Sequence, residues 1–345
     1  MRLGRRDFLR LGLMGAALLP LVGCQWGVKE RRRGLGNLFV EGGKPLLVSV
    51  EGEDPERMLR AAFEALGGLQ GLVGGRKVLL KPNFVFPQAY PVTTDPEVIL
   101  LVARLLREAG AQEVEVFDAP GTFLVGSERE TFDYHRMAER ARAEGLKVTI
   151  GDAARRSQYV KTYHPAWRAY KEIIVHKKVY RCPVVINMPC LKRHHTSYLT
   201  CALKNNFGVI YGAQRWDAHL RGEGFDKMKK KASERVKAAF RNREHFMRAL
   251  AEFADAVRPE LTVVDARAIL SRGGPTKGKG KVIKGVNRMV LSGDMVALDL
   301  YCSRLMEQYD ETYTTDMIRP YLEAAAELGL GQLDPKGVKV LEVKT

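Results

Sequence analysis

Twice within its first hundred residues the chain places the dipeptide Asp-Pro behind a short apolar run, at Asp54-Pro55 and at Asp95-Pro96. An aspartate that accepts from the first free N–H groups, followed by a proline that needs no partner there, is a helix start. The runs before them, 46–50 and 78–80, have the length and composition of strands. After them apolar residues recur at helical spacing: Met58, Leu59, Ala62, Phe63 and Leu66 in the first case, Ile99, Val102, Ala103 and Leu106 in the second. Gly67-Gly68 and Gly110 end the two helices. A strand at 114–117 finishing at Asp118, a helix opened by the capping box Ser127 and Glu130 and running to Gly145, and a strand at 147–151 continue the alternation. Parallel strands need crossover connections, so the pattern predicts an α/β fold with a mostly parallel sheet and helices on both faces, and it allows two lobes around a crevice.

Ligands of such sheets sit beyond the carboxyl ends of the strands. The stretch that concentrates chemistry there is 184–212. Val184, Val185 and Ile186 read as a strand broken at Asn187-Met188-Pro189, then Lys192, Arg193, His194 and His195 form a cationic loop. A helix is expected from Thr196 or Ser197, carrying Ser197, Thr200, Cys201 and Lys204 on one face and ending in Asn205-Asn206-Phe207-Gly208. Lys81, Asn83, Asn187, Lys192, His194, His195, Lys204 and Asn205 are mostly donors. Ammonium groups supply charge and amides supply direction, which suits a carboxylate or phosphate, and the N–H groups of a helix opening near Ser197 would point the same way. His194 and His195 are candidates for acid and base, or one of them for metal ligation. Asp118 and Asp265, at strand ends, are candidates to bind a cation or to orient a histidine or lysine. Each of these residues also has an ordinary structural role open to it, in a backbone hydrogen bond, a loop cap or a solvated face.

Downstream, 214–253 reads as a basic helical insertion, with Lys227, Lys229, Lys230, Lys231, Arg235, Lys237, Arg241 and Arg243. It is either a solvated surface or a contact for anionic lipid headgroups. Strands are expected at 261–264, 289–291 and 338–343, and helices at about 294–306 and 314–328. The run 273–280 lacks the order of a phosphate-binding P-loop. A cationic flap over the crevice, with Gly274, Lys277 and Lys279, is one expectation for it and a solvated hairpin the other. No G-x-G-x-x-G follows the first strand, which weakens dinucleotide binding.

The chain is basic, 56 Lys+Arg against 40 Asp+Glu over 345 residues. Nucleic acid, anionic lipid and anionic substrates all fit such an excess. The N-terminus narrows the choice: Arg5-Arg6-Asp7-Phe8-Leu9-Arg10, a weakly apolar stretch at 11–23, and Leu21-Val22-Gly23-Cys24. This resembles a twin-arginine export signal (1–23) ending in a lipobox, with Cys24 as the lipidated residue. The resemblance implies a folded passage through the twin-arginine translocase, a periplasmic or cell-surface location, a membrane tether at 24–43, and no nucleic acid partner. Cys182, Cys190, Cys201 and Cys302 contain no C-x-x-C pair, so neither a zinc ribbon nor a ferredoxin-type iron–sulfur cluster is expected. The cofactor is left unknown and a metal is allowed.

Four ordered segments carry a wider resemblance: K-P-N with T-T-D-P (81–83 and 93–96), N-M-P-C-L-K-R-H-H (187–195), A-L-K-N-N-F-G (202–208), and V-V-D-A with G-G-P-T, S-G-D and A-L-D (263–299). Together they are similar to the domain-of-unknown-function 362 family, from about residue 44 to the C-terminus. No settled activity comes with that family. His194 and Lys204, ten residues apart near a strand–loop–helix turn, also resemble the histidine and cofactor-linked lysine of the nickel-pincer lactate racemases, although Phe123 stands where a histidine would complete that family's turn after Asp118. The resulting expectation is an exported, tethered protein that binds an anionic small molecule or cofactor at Lys81, Asn83, Asn187, Lys192, Asn205, Gly274 and Lys277. Three roles follow from it: an enzyme using His194, His195 and Lys204, a non-catalytic ligand- or cofactor-binding lipoprotein, or a surface interaction protein acting through the basic segment.

Overall fold

The computed structural model describes residues 27–120, 128–223 and 243–345. The export signal, Cys24, Ser127, residues 121–123 and the cationic stretch 224–242 lie outside the described residues.

A strap carrying β1 (Lys29–Glu30) and β2 (Val40–Glu41) leads to β3 (Lys44–Glu51). Helices α1 (Pro55–Ala65) and α2 (Gln70–Val73) then cross to β4 (Lys77–Pro82), α3 (Pro96–Glu108) to β5 (Glu113–Asp118), and α4 (Glu128–Tyr134) with α5 (Met137–Ala143) to β6 (Lys147–Ile150). The two Asp-Pro starts are real caps: Asp54 accepts from Arg57 N at 2.9 Å and Asp95 from Glu97 N at 3.0 Å. Next come β7 (Tyr159–Tyr163), β8 (Ile173–His176), α6 (Lys177–Arg181), β9 (Val184–Met188), β10 (Cys190–His194), β11 (Tyr198–Thr200), α7 (Ala202–Asn205), α8 (Gly212–Glu223), α9 (Arg243–Val257), β12 (Leu261–Ser271), β13 (Lys281–Ser292), α10 (Met295–Tyr309), α11 (Arg319–Glu327) and β14 (Lys339–Lys344).

The main sheet runs β14-β3-β13-β12-β9-β4-β5-β6, and along this path only β13 is antiparallel to its neighbours. Alternation sends Leu47, Leu79 and Val185 to one core and Val48, Val78, Leu80, Val184 and Ile186 to the other. Helices α1 and α3 cover the second face, and α9, α10 and α11 the first. Burial of each such side chain contributes about 1.5–3 kcal/mol, so the two cores fix strand register firmly. A separate three-stranded sheet joins β1, β7 and β8.

Six expectations change. Residues 190–194 form a strand instead of a loop, pairing Lys192 with Thr200 and His194 with Tyr198 in a hairpin turned at Tyr198, φ 63°. The helix expected from Thr196 or Ser197 therefore begins only at Ala202, because 198–200 are held in that hairpin. The helix expected to run to Gly145 is split at Arg136, φ 50°, into α4 and α5. The basic insertion ends before its expected limit, since α9 buries Phe246, Leu250 and Phe253 in the first core. The run 273–280 is the tip joining β12 to β13, whose strands extend well beyond 261–264 and 289–291.

The sixth change concerns the expected tether. From Lys29 onward it is docked: β1 pairs with β7, β2 with β3, and Arg32 is buried against Glu260 at 2.8 Å.

Candidate functional site

The chain passes from β4 to β5 and β6 on one side, then returns to β9 on the other side of β4. The crevice at such a reversal is where sheets of this kind take ligands. Lys81 and Asn187 are direct register partners across it.

Lys81, 1% exposed, makes an ion pair with Asp118 at 2.8 Å and donates to Pro82 O at 2.6 Å. Asp118 is held in turn by the N–H groups of Phe84 and Ala119 at 3.0 and 2.9 Å. Among its candidate partners, the one Asp118 meets here is a lysine. Asn205 bridges the ends of β4 and β9: its Oδ1 accepts from Asn83 Nδ2 at 2.7 Å and its Nδ2 donates to Asn187 Oδ1 at 2.8 Å. Asn187 Nδ2 donates to Ala202 O at 2.9 Å, and Lys192 Nζ donates to Asn83 Oδ1 at 2.7 Å and to Val92 O. The sequence-predicted Lys81, Asn83, Asp118, Asn187, Lys192 and Asn205 are therefore one buried network.

Burial shifts the amines of this network. It lowers Lys81 below the usual lysine range, with Asp118 opposing, and brings Lys192 down to about 8. Gly208 is part of the arrangement, since a Cβ there would come within 2.5 Å of Asp118 Oδ1 and 2.7 Å of Lys81 Nζ.

Arg215 on α8 was not singled out by sequence, where it is one arginine at the start of a basic segment with no motif around it. It is 7% exposed, donates from Nε to Ile210 O at 2.5 Å and from Nη1 to Ala119 O at 2.7 Å, and its buried Nη2 has no hydrogen-bond partner. Ala119 follows Asp118 directly, so Arg215 lies at the same strand ends as Lys81.

His194 is two residues beyond Lys192 on β10, so the two side chains share a face. Its Nδ1 accepts from the N–H groups of Thr196 and Ser197 at 3.1 and 3.3 Å, which places the proton of the neutral ring on Nε2. Burial, then the nearby Lys204, His195 and His219, drives its pKa well below the usual range. His195 stacks on it, centroids 4.6 Å apart, and His219 lies at 6.0 Å. Lys204 Nζ sits 3.6 Å from the Phe207 ring centroid. The histidine pair and Lys204 thus form a second cluster beside the lysine–asparagine network.

Helix α7 offers no open N-terminus, because Asp299 takes the Ala202 and Leu203 N–H groups at 2.7 and 3.3 Å. Buried Asp299 has its carboxyl raised to about 7.

Three other candidates lie elsewhere. Asp265 accepts from Tyr90 OH and from Arg267, each at 2.8 Å, so it orients neither a histidine nor a lysine. Gly274 packs against the Arg193 carbonyl, and Lys277 is an exposed residue of the hairpin tip whose N–H bonds Gln88 at 3.1 Å. The metal candidates His194, Asp118 and Asp265 do not converge, and among the described residues no three His, Cys, Asp or Glu side chains form a metal-holding group.

The profile of the family described as Domain of unknown function (DUF362) matches residues 78–304, from β4 through most of α10. The chain belongs to that family. Every member of the lysine–asparagine network lies inside the DUF362 match. The thylakoid-associated protein sll1697 of Synechocystis sp. is 27% identical over 275 residues, 79% of this chain and 74% of that protein. Among solved structures, the lactate racemase apoprotein of Thermoanaerobacterium thermosaccharolyticum is similar with TM-score 0.47 and 11% identity over 79% of this chain. A Thermotoga maritima protein gives TM-score 0.42 and 12% identity over 80%. This chain spans 57% and 60% of those two solved chains. Among the described residues no helix is long and apolar enough to cross a membrane.

Proposed function

We propose that this DUF362 chain binds an anionic small molecule, a carboxylate or phosphate, at the carboxyl ends of β4, β5 and β9, and that it does so as an exported, membrane-tethered protein. The observation that carries the reading is a charge imbalance: Lys81, Lys192 and Arg215 are buried beside one carboxylate, Asp118. Burying a cation without a counter-charge costs several kcal/mol, and an anion against the unpartnered Arg215 Nη2 relieves that cost. Guanidinium and ammonium supply attraction, and the fixed amides of Asn83 and Asn205 supply direction. Export and lipidation rest on Arg5-Arg6 and on the lipobox at Cys24, and the name of the Synechocystis relative agrees with a place at a membrane.

A second reading, catalysis, is favoured by one observation. An amine brought to about 8, as at Lys192, exchanges its proton near neutral pH and so suits general acid–base work beside a bound anion. His194, neutral at that pH, and Lys204 stand next to it as further candidates.

The test is thermal unfolding with a panel of carboxylates and phosphates, on wild type and on Arg215→Leu. The reading expects at least one anion to stabilise wild type and to lose that effect in the variant. It fails if no anion stabilises the protein, or if the variant responds as wild type does. Mass and metal analysis of protein from its native host separates the catalytic reading, since a chain without any bound or covalent group counts against cofactor chemistry. Membrane fractionation tests the tether.

A further inference from the structure

The strap runs along one end of the main sheet. Arg32 donates to Cys182 O and Pro183 O just before β9, and to Val257 O, Arg258 O and Glu260 just before β12. Asn37 lies against Gly293, just after antiparallel β13, and Val40 pairs with Pro45 at the start of β3. Lys44 then reaches Lys336 O at 2.9 Å, before β14. All these points are at the amino ends of the parallel strands, opposite Lys81, Asn187 and Arg215.

This end is also where apolar surface is left in water. Among the described residues eight large hydrophobic side chains are exposed, and four of them, Val28, Leu35, Leu38 and Val40, are on the strap. Tyr163 and Val340 stand beside it, one paired with Glu30 and the other next to Lys339, which bonds Glu41. A segment that anchors itself through a buried arginine while leaving 38–49% of these side chains exposed is not burying them in its own core. Lys29, Arg33, Lys44, Lys336 and Lys339 outnumber Glu30, Glu41 and Asp334 around them.

We propose that the strap and the adjoining β14 edge are a docking face for an anionic lipid bilayer, which holds the domain with its strand amino ends on the membrane and its crevice turned away. The chain enters this face directly from its N-terminal segment. The described part begins at Gly27, three residues after Cys24 and four after the apolar stretch 11–23, so whatever the N-terminus is anchored in lies within reach of Val28. Apolar side chains bordered by excess cations are what an interface of acyl chains and anionic headgroups takes. With the face down, the carboxyl ends of the strands, where Lys81 and Asn187 stand, lie about 20 Å from the lipid, the length of a six-residue strand. The proposal rests on the membrane tether of the preceding section.

The experiment uses the full chain in isolated membranes. Cysteine is introduced at Leu38 or at Lys277 on the far hairpin tip, and each is reacted with a polyethylene-glycol maleimide before and after detergent. Wild type supplies the background from the native thiols. Leu38→Cys is expected to label about tenfold or more slowly in membranes than in detergent, and Lys277→Cys at the same rate in both. Equal labelling of Leu38→Cys in the two states, with the chain in the membrane fraction, overturns the orientation and leaves the tether standing. Recovery of the chain in the soluble fraction overturns the tether, and the docking face with it.

Discussion

Replacing Arg32 by Met should cost about 3 kcal/mol, the low end of the range for breaking a buried ion pair. The Arg32 side chain is 4% exposed, and its guanidinium donates to four backbone carbonyls and to both oxygens of Glu260, whose side chain has no solvent exposure. Met fills most of the volume but leaves the Glu260 carboxylate without a counter-ion. The low end applies because Glu260 keeps two N–H bonds, from Val185 at 2.6 Å and Leu35 at 3.1 Å. For a domain of this size the loss corresponds to a melting temperature about 4–5 °C lower. Burial already raises the Glu260 pKa above its ordinary value, with Arg32 opposing, and removing Arg32 raises it further. A carboxyl whose folded pKa is raised contributes its stability below the unfolded value and loses it as pH rises through the folded pKa, so the deficit of the variant should widen from pH 5 to pH 8. Urea unfolding across that range measures it. A deficit under about 1 kcal/mol, a deficit independent of pH, or Arg32→Met/Glu260→Gln no more stable than Arg32→Met alone would refute the account of a buried, uncompensated carboxylate.

Three further outcomes follow from the site. Gly208→Ala should separate Lys81 from Asp118, lowering stability by about 2 kcal/mol and abolishing anion-dependent stabilisation, as read by thermal unfolding with and without ligand. Anion affinity should fall as pH rises through about 8, where Lys192 loses its charge, and calorimetry between pH 7 and 9 should find Lys192→Met weaker and without that fall. Asp299, raised from 3.8 to about 7, should make wild-type stability decline by about 1 kcal/mol per pH unit between pH 4 and 7 relative to Asp299→Asn, because the folded state holds a proton that the unfolded state has released.

The α/β class was legible because its signals are local. A capping aspartate, a proline and a 3.6-residue apolar period all lie within a dozen residues of one another. Lys81, Asn83 and Asn187 were also within reach, since polar residues at the ends of predicted parallel strands share one edge whatever the details between them, and Lys192 and Asn205 follow Asn187 in the loop and helix expected after it. Local charge misled at 192–195. A run of Lys, Arg and His reads as loop, yet in β10 alternate residues find different partners, Lys192 in the amide network and Arg193 against Asp310 and the Tyr313 ring. Arg32 and Arg215 were hidden for the opposite reason: Arg32 meets partners 150–228 residues away and Arg215 meets Ala119 96 residues back, separations at which a single sequence has no period to display.

The rung that pairs Lys81 with Asn187 ties the chemistry to how the sheet assembles. A slip of one residue between β4 and β9 would send Lys81 to the opposite face, away from both Asp118 and Asn205, while still forming a ladder of backbone hydrogen bonds. A chain that folded with that error would be compact and inert. The anion binding proposed here would therefore double as a proofreading signal for strand alignment, with a preparation's ligand-competent fraction counting its correctly registered molecules.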